Sequence, residues 1–166
     1  MSYLVDDRFR QGAAGRRCVL MAALMLVLIV PSFSADASAA TKHCTSGSEF
    51  EPPLCPLHLP KISKVTIVEN ASKSPAEQDK SVVCESFFVK ESHVRRFFAK
   101  AKSTHENDAH RTLDWSPCYA AGKLNFSDGS SGEWSIDQFR QGALVTEDGK
   151  KTVLYCPDCK FKPFQW

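Results

Sequence analysis

The chain lacks an apolar run long enough to cross a membrane. Its longest, from Cys18 to Val30, covers 13 residues, whereas a spanning helix needs about 20. Four arginines precede this run, and the small residues Ala37-Ser38-Ala39 follow it, which is the pattern that signal peptidase cleaves. We therefore interpret residues 1–39 as a cleaved signal peptide. We expect a periplasmic or secreted protein with no membrane partner after cleavage.

Neither sign of charge is in excess. Residues 1–39 hold four arginines and three acids, so residues 40–166 keep 17 basic and 16 acidic side chains. Proteins that bind nucleic acid neutralise its phosphates with a clear surplus of lysine and arginine. The near balance therefore excludes nucleic acid as an expected partner. The remaining 127 residues have the size of one domain.

The sequence also lacks the motifs of familiar enzymes. It has no nucleophile elbow, no glycine-rich phosphate loop and no dinucleotide fingerprint. His105 and His110 are at i and i+5, whereas the two histidines of a zinc protease helix are at i and i+4, where both reach one metal. We expect no catalytic residue, no metal ligand and no cofactor.

Cysteines are present in an even number once residue 18 leaves with the signal peptide. In a small exported domain an even count indicates disulfides. Cys44 and Cys55 would close a loop of about a dozen residues, worth on the order of 3 kcal/mol, so we expect a local bridge there. The remaining four allow three pairings, which the sequence leaves open. The disulfide candidates are Cys44, Cys55, Cys84, Cys118, Cys156 and Cys159.

The motif Cys156-Pro157-Asp158-Cys159 has two alternative interpretations. A thiol–disulfide redox site needs a stabilised thiolate, normally at a helix N-terminus. Here the motif follows a predicted strand, although Lys160 and Lys162 favour a thiolate. A zinc-binding module would combine the motif with Cys84 and Cys118, but structural zinc sites usually contain two close-spaced cysteine pairs. A disulfide remains the favoured interpretation.

Hydrophobic periodicity predicts one helix, beginning at Ser92. Val94, Phe97, Phe98 and Ala101 recur at i, i+3, i+4 and i+7 and form one apolar stripe. Ser92 is a suitable N-cap. The opposite side is rich in lysine and arginine, and we interpret it as a solvated face.

Residues 40–60 contain four prolines and predict an extended arm, because proline lacks an amide donor. Beyond the arm, β-branched and aromatic runs between turn residues predict strands, with 103–114 as a polar connection. A bulge near Asp137-Gln138 would bring Phe139 into phase. The predicted strands cover residues 61–69, 81–89, 118–126, 133–139, 142–145 and 152–156.

These elements predict an α+β fold for residues 61–166, a single disulfide-stabilised domain. It is an antiparallel sheet of about six short strands, the last four a meander, with one amphipathic helix packed on a face. The function we expect is non-catalytic and exerted through protein contacts, as in an inhibitor, an immunity-like protein or an envelope accessory factor. Trp115, Tyr119 and Trp134 are expected in the core, with a carbohydrate- or peptide-binding surface as the alternative.

Overall fold

The computed structural model describes residues 43–165. The predicted signal peptide, residues 1–39, lies outside them. The described part of the chain contains seven strands and two helices: β1 (Cys55–Pro56), β2 (Ile62–Lys73), α1 (Glu91–Lys100), β3 (Lys102–Thr104), α2 (Glu106–Thr112), β4 (Cys118–Phe126), β5 (Ser131–Asp137), β6 (Gln141–Thr146) and β7 (Lys151–Tyr155).

The strands form one antiparallel sheet in the order β1-β3-β7-β6-β5-β4-β2. The predicted meander is present as β4 to β7, whose neighbours in the chain pair directly. β2 pairs with β4 at one side of the meander, and β3 and β1 continue the sheet beyond β7. The chain between β2 and β3, which includes α1, therefore passes from one side of the sheet to the other.

Helix α1 covers one face of the sheet, which we call the inner face. The predicted stripe is buried: Val94, Phe97 and Phe98 lie in the core, with Ala101 as the C-cap. A Cβ at Gly142 would lie 3.1 Å from Cζ of Phe97, so the absent side chain lets the ring lie against β6. The helix begins one residue before the predicted Ser92. Its N-cap is Lys90, whose amide donates to Nδ1 of His93 at 3.1 Å.

The C-terminal tail completes the core on the inner face. Phe164 is fully buried, stacks on Phe97 with ring centroids 5.7 Å apart and meets Phe87 edge-on at 5.6 Å. The tail is held there by backbone bonds, because the Gln165 amide donates to the Gln138 carbonyl at 2.9 Å. The last residues of the described chain are thus part of the core.

The predicted strand at 81–89 is absent. This segment runs through turns, and Phe87 donates to the Cys84 carbonyl at 2.9 Å instead of to a neighbouring strand. The Asn70 side chain replaces a strand ladder, since its amide group exchanges two bonds of 2.9 Å with the backbone of Val89. Phe87 and Val89 are buried. Part of the apolar content that indicated a strand therefore packs against the core, while Val83 and Phe88 remain exposed.

The predicted polar connection at 103–114 contains two elements, β3 and α2. β3 pairs with β7, and the His105 side chain caps α2 by accepting the Asn107 amide at 3.3 Å. Ala109 is the buried residue of α2. With α2 the described chain has two helices, so the expectation of one was wrong. The sheet likewise has seven strands and not six, because β1 and β3 join it while 81–89 does not.

The predicted bulge near Asp137-Gln138 is a turn. β5 ends at Asp137, whose carboxylate accepts the amides of Phe139 at 2.9 Å and Gln141 at 3.0 Å. Arg140 adopts a positive φ of 71° to close the turn. Phe139 falls out of phase with β5 because it lies beyond the end of that strand.

The part of the proline-rich arm that the structure describes, residues 43–60, folds back onto the sheet. Cys55 pairs with Ser103 of β3, and Leu54 is buried. Leu57 and Leu59 pack against the core beside α1. The arm therefore covers a part of the inner face that a ten-residue helix leaves open. Among residues 43–165 no helix is long and apolar enough to span a membrane.

Candidate functional site

The outer face of the sheet, opposite α1, carries a row of small side chains. Ala121 pairs with Ser135, Ser135 with Ala143, and Ala143 with Val153, so the row crosses four adjacent strands from β4 to β7. Side chains alternate between the two faces of a strand. The neighbours of this row in the chain, such as Leu144 and Leu154, are therefore buried on the inner face. We call the depression above the row the outer channel.

Larger side chains flank the outer channel on both sides. One flank contains Val145 and the ion pair between Lys123 and Glu133, whose charged atoms are 3.4 Å apart. The other contains Tyr119 and Asp137, which pair directly across β4 and β5. Two concavities of about 470 and 380 Å³ lie along the row and share Ser135 and Ala143. The two concavities are therefore adjacent, and together they extend from β2 to α2.

Helix α2 forms one wall of the outer channel. Glu106 reaches Lys151 of β7, with Nζ and Oε1 2.6 Å apart, which anchors the N-terminus of the helix to the sheet. Glu106, Ala109 and His110 line the concavity together with Val153. Sequence reasoning discounted His105 and His110 as a metal pair, and the structure gives them separate positions, one as the helix cap and one in the channel wall.

Trp115 stands at the rim of the outer channel with 56% of its surface exposed. The backbone on both sides of it is held firmly. The side-chain amide of Gln141 donates to the Asp114 carbonyl at 2.6 Å, and the backbone amide of Ser74 donates to the Pro117 carbonyl at 2.8 Å. Ser116 is buried, and its hydroxyl bonds Gln138 at 3.3 Å. The fold thus fixes this loop while leaving the indole in solvent.

Asp137 lines the channel with a carboxyl group that is a weaker acid than an ordinary aspartate. Desolvation raises its pKa to about 7, against the opposing effect of the amides of Gln141, Phe139 and Ser116 and the charge of Arg140. A carboxyl group with this pKa is partly protonated at neutral pH. Tyr119 beside it donates its hydroxyl to Glu69, and this hydrogen bond, together with desolvation, raises the pKa of the tyrosine.

The six cysteines within residues 43–165 form three disulfides: Cys44–Cys55, Cys84–Cys118 and Cys156–Cys159. The local bridge in the arm is the expected one, and the structure selects one of the three pairings that the other four cysteines allow. Cys156 and Cys159 are both 0% exposed. Thiol–disulfide exchange requires access to a sulfur atom, so this burial argues against the redox interpretation of the motif.

The zinc interpretation used the same four cysteines, and in the structure their thiolates are consumed by two disulfides. Among residues 43–165 no group of three or more histidine, cysteine, aspartate or glutamate side chains is arranged to hold a metal ion.

The three aromatic residues that the sequence singled out lie in two different environments. Trp134 is buried against Phe98 as expected, whereas Trp115 and Tyr119 line the channel.

Sequence reasoning missed Asp137 and Gln141 as channel residues, and it missed the row of small side chains. Each strand shows its own alternation, but the row exists only because four strands align their small residues in register. No family model, no curated protein and no solved structure matches this chain. The function of this chain must therefore be inferred from the geometry of the outer channel.

Proposed function

We propose that this protein is an exported, non-catalytic binding protein that holds an extended segment of a partner protein in the outer channel. The observation that carries the proposal is the exposed Trp115, on a loop held by hydrogen bonds, at the rim of the outer channel. Tryptophan and tyrosine on rigid supports are the usual anchors of protein recognition, because they offer a large contact area at little cost in conformational entropy.

The dimensions of the channel suit a short stretch of extended chain. Neighbouring strands are about 4.8 Å apart, so a row that crosses four strands is about 14 Å long. An extended chain advances about 3.3 Å per residue, which corresponds to roughly four residues. The small floor residues Ala121, Ser135 and Ala143 let a peptide backbone approach the sheet closely.

Three polar side chains of the channel are held in place by structural partners. Glu106 is paired with Lys151 at 2.6 Å, and Tyr119 is bonded to Glu69. Oδ1 of Asp137 accepts two backbone amides. Side chains held in fixed positions in this way are suited to orient a bound ligand.

Export is supported by the three disulfides, since such bonds form and persist in oxidising compartments. They are compatible with a periplasmic or extracellular location. In that setting an inhibitor, an immunity-like protein or an envelope accessory factor would each act by holding a segment of another protein.

The proposal is tested by selecting a random peptide library, displayed on phage, against the purified oxidised protein. We expect selected peptides to bind with micromolar dissociation constants in calorimetry. Trp115→Ala should weaken them by about tenfold or more, the loss typical of an anchor residue. Ala143→Phe, which fills the floor, should do the same.

The matched control is Phe88→Ala. Phe88 is 58% exposed, slightly more than Trp115 at 56%, but lies in the 81–89 segment outside the channel. It should leave the affinity within about twofold of the unmodified protein. A selection that returns no binding peptide, or equal losses for Trp115→Ala and Phe88→Ala, would overturn the proposal.

A further inference from the structure

We propose that the part of the outer channel bounded by Trp115, Tyr119 and Asp137 receives a basic side chain, arginine or lysine, of the bound segment. This inference rests on the function proposed above and adds the chemical identity of the residue that the channel selects. It follows from three observations: the charge balance of the channel, the free face of the indole, and the position of the Asp137 carboxyl.

The charge balance at this part of the channel is acidic. Lys151, a basic side chain that lines the channel, is held by Glu106 at 2.6 Å. Arg140 donates to the Pro157 carbonyl at 2.9 Å, and its charge, which lowers the pKa of Asp137, offsets only part of the acidic charge. Within residues 43–165 the structure shows no ion pair for Asp137 or for Glu69, the partner of Tyr119. A cation is therefore the complementary charge.

The Trp115 ring is available to a cation. Two other aromatic rings of the described chain are already occupied: Arg96 lies 3.9 Å from the ring centre of Phe161, and Arg140 lies 5.5 Å from that of Tyr155. Trp115 has no such partner among residues 43–165. A guanidinium or ammonium group over an indole face contributes about 0.5–2 kcal/mol, more as water is excluded.

Asp137 is placed to complete the recognition. It is opposite Tyr119 in the β4–β5 register, on the same face as the channel floor. The turn amides of Phe139 and Gln141 bond Oδ1, which holds the carboxyl group in one orientation. A carboxylate held in this way can still accept a charged hydrogen bond from an arginine guanidinium or a lysine ammonium. Because its pKa is about 7 in the free protein, binding is best measured at pH 8.

The first test compares versions of the tightest peptide from the library selection. Replacing its basic residue with glutamine should weaken binding to the protein by about tenfold or more, and replacing it with glutamate should weaken it further. Raising the salt concentration should weaken the basic peptide more than the glutamine peptide, since ions screen partly exposed charges. Selected peptides that occupy the channel without a basic residue would overturn this inference and leave the proposed function intact.

The second test is a double-mutant cycle between the peptide and Asp137→Asn. Asparagine retains an oxygen that can accept the turn amides, so the turn should persist, and circular dichroism checks this. The basic peptide should lose about tenfold in affinity on Asp137→Asn, while the glutamine peptide changes by less than about twofold. The matched control is Glu85→Gln, which removes one exposed acid from the 81–89 segment. Equal losses for both peptides, or for both variants, would overturn the inference.

If the library selection fails altogether, or if Trp115→Ala does not weaken the selected peptides, the proposed function fails together with this inference. If the peptides depend on Trp115 but not on a basic residue or on Asp137, only the inference fails. The salt comparison on the unmodified protein tests the basic residue without any variant of the protein.

Discussion

The two faces of the sheet are built from the same strands but differ in the size, burial and packing of their side chains. In β4, Ala120, Leu124 and Phe126 point to the inner face and are buried, while Ala121 and Lys123 point to the outer face. Aromatic rings from α1 and the C-terminal tail fill the inner face. Small side chains leave the outer face open. The two-residue period of a strand thus places core-forming residues on one face and the residues of the outer channel on the other.

The largest effect on stability is expected for Phe97, an aromatic residue that packs on the inner face. Phe97→Ala should lower the free energy of unfolding by roughly 4–5 kcal/mol, because the ring is 0% exposed and its loss leaves a cavity. Urea denaturation followed by circular dichroism measures this value. A loss below about 1 kcal/mol would mean that α1 does not organise the core as the structure indicates.

The Cys84–Cys118 disulfide joins the 81–89 segment to the start of β4, next to the Trp115 loop. Its sequence separation is 34 residues, against 11 for Cys44–Cys55. Loop-closure entropy predicts that replacing both cysteines with alanine costs on the order of 4 kcal/mol for Cys84–Cys118 and about 3 for Cys44–Cys55. Thermal and urea unfolding of the two double variants check this order. The reverse order would show that the longer loop is restrained independently of its disulfide.

Asp137 is expected to make stability depend on pH in the direction opposite to most carboxyl groups. Its pKa is raised from an ordinary 3.8 to about 7 by desolvation, so the folded protein binds the proton more tightly than the unfolded chain. The stabilisation is full below about pH 4 and is lost as the pH rises towards 7. Each tenfold difference in proton affinity between the folded and unfolded chain corresponds to about 1.4 kcal/mol.

The measurement for Asp137 is urea unfolding of the unmodified protein and of Asp137→Asn at intervals from pH 4 to pH 8. The variant lacks this titration, so its stability relative to the unmodified protein should rise with pH by up to a few kcal/mol. The same variant should bind the basic peptide less well at pH 8. Parallel pH profiles of the two proteins would contradict the assignment.

The smallest effect on stability is expected for Trp115→Ala. The indole is mostly exposed and contributes little to the core, so the free energy of unfolding should change by less than about 0.5 kcal/mol. Set beside Phe97→Ala, this result would separate a ring that stabilises the fold from one that is displayed. A loss above about 2 kcal/mol would make Trp115 a structural residue and weaken the case for the channel.

The sequence predicted the elements whose own residues carry a strong period. The bounds of β4 agree with the prediction, because its alternation from Cys118 to Phe126 is regular. The stripe of α1 was equally clear. Helix α2 was not predicted, since its seven residues include one apolar side chain, Ala109. It is held in place by the cap from His105 and by the ion pair between Glu106 and Lys151 of β7, and the second of these joins residues distant in the chain.

The site was predicted less well than the fold. Trp115 and Tyr119 were noted as aromatic candidates, but core burial was favoured for them. The segment 81–89 shows the same limitation, because its apolar residues indicated a strand while Asn70 and the Cys84–Cys118 bridge hold it as a loop. The apolar residues of a segment indicate that it tends to be buried. They do not indicate which partner buries it.

By itself, the sequence determined the alternation along each strand, the stripe of the helix and the even number of cysteines, all properties of residues close together in the chain. Only the tertiary structure decided how four strands align Ala121, Ser135, Ala143 and Val153 into one channel floor. It also decided which cysteines meet and which tryptophan remains in solvent. These outcomes depend on pairing between distant segments, whose register is set by the packing of the whole sheet and not by any one strand.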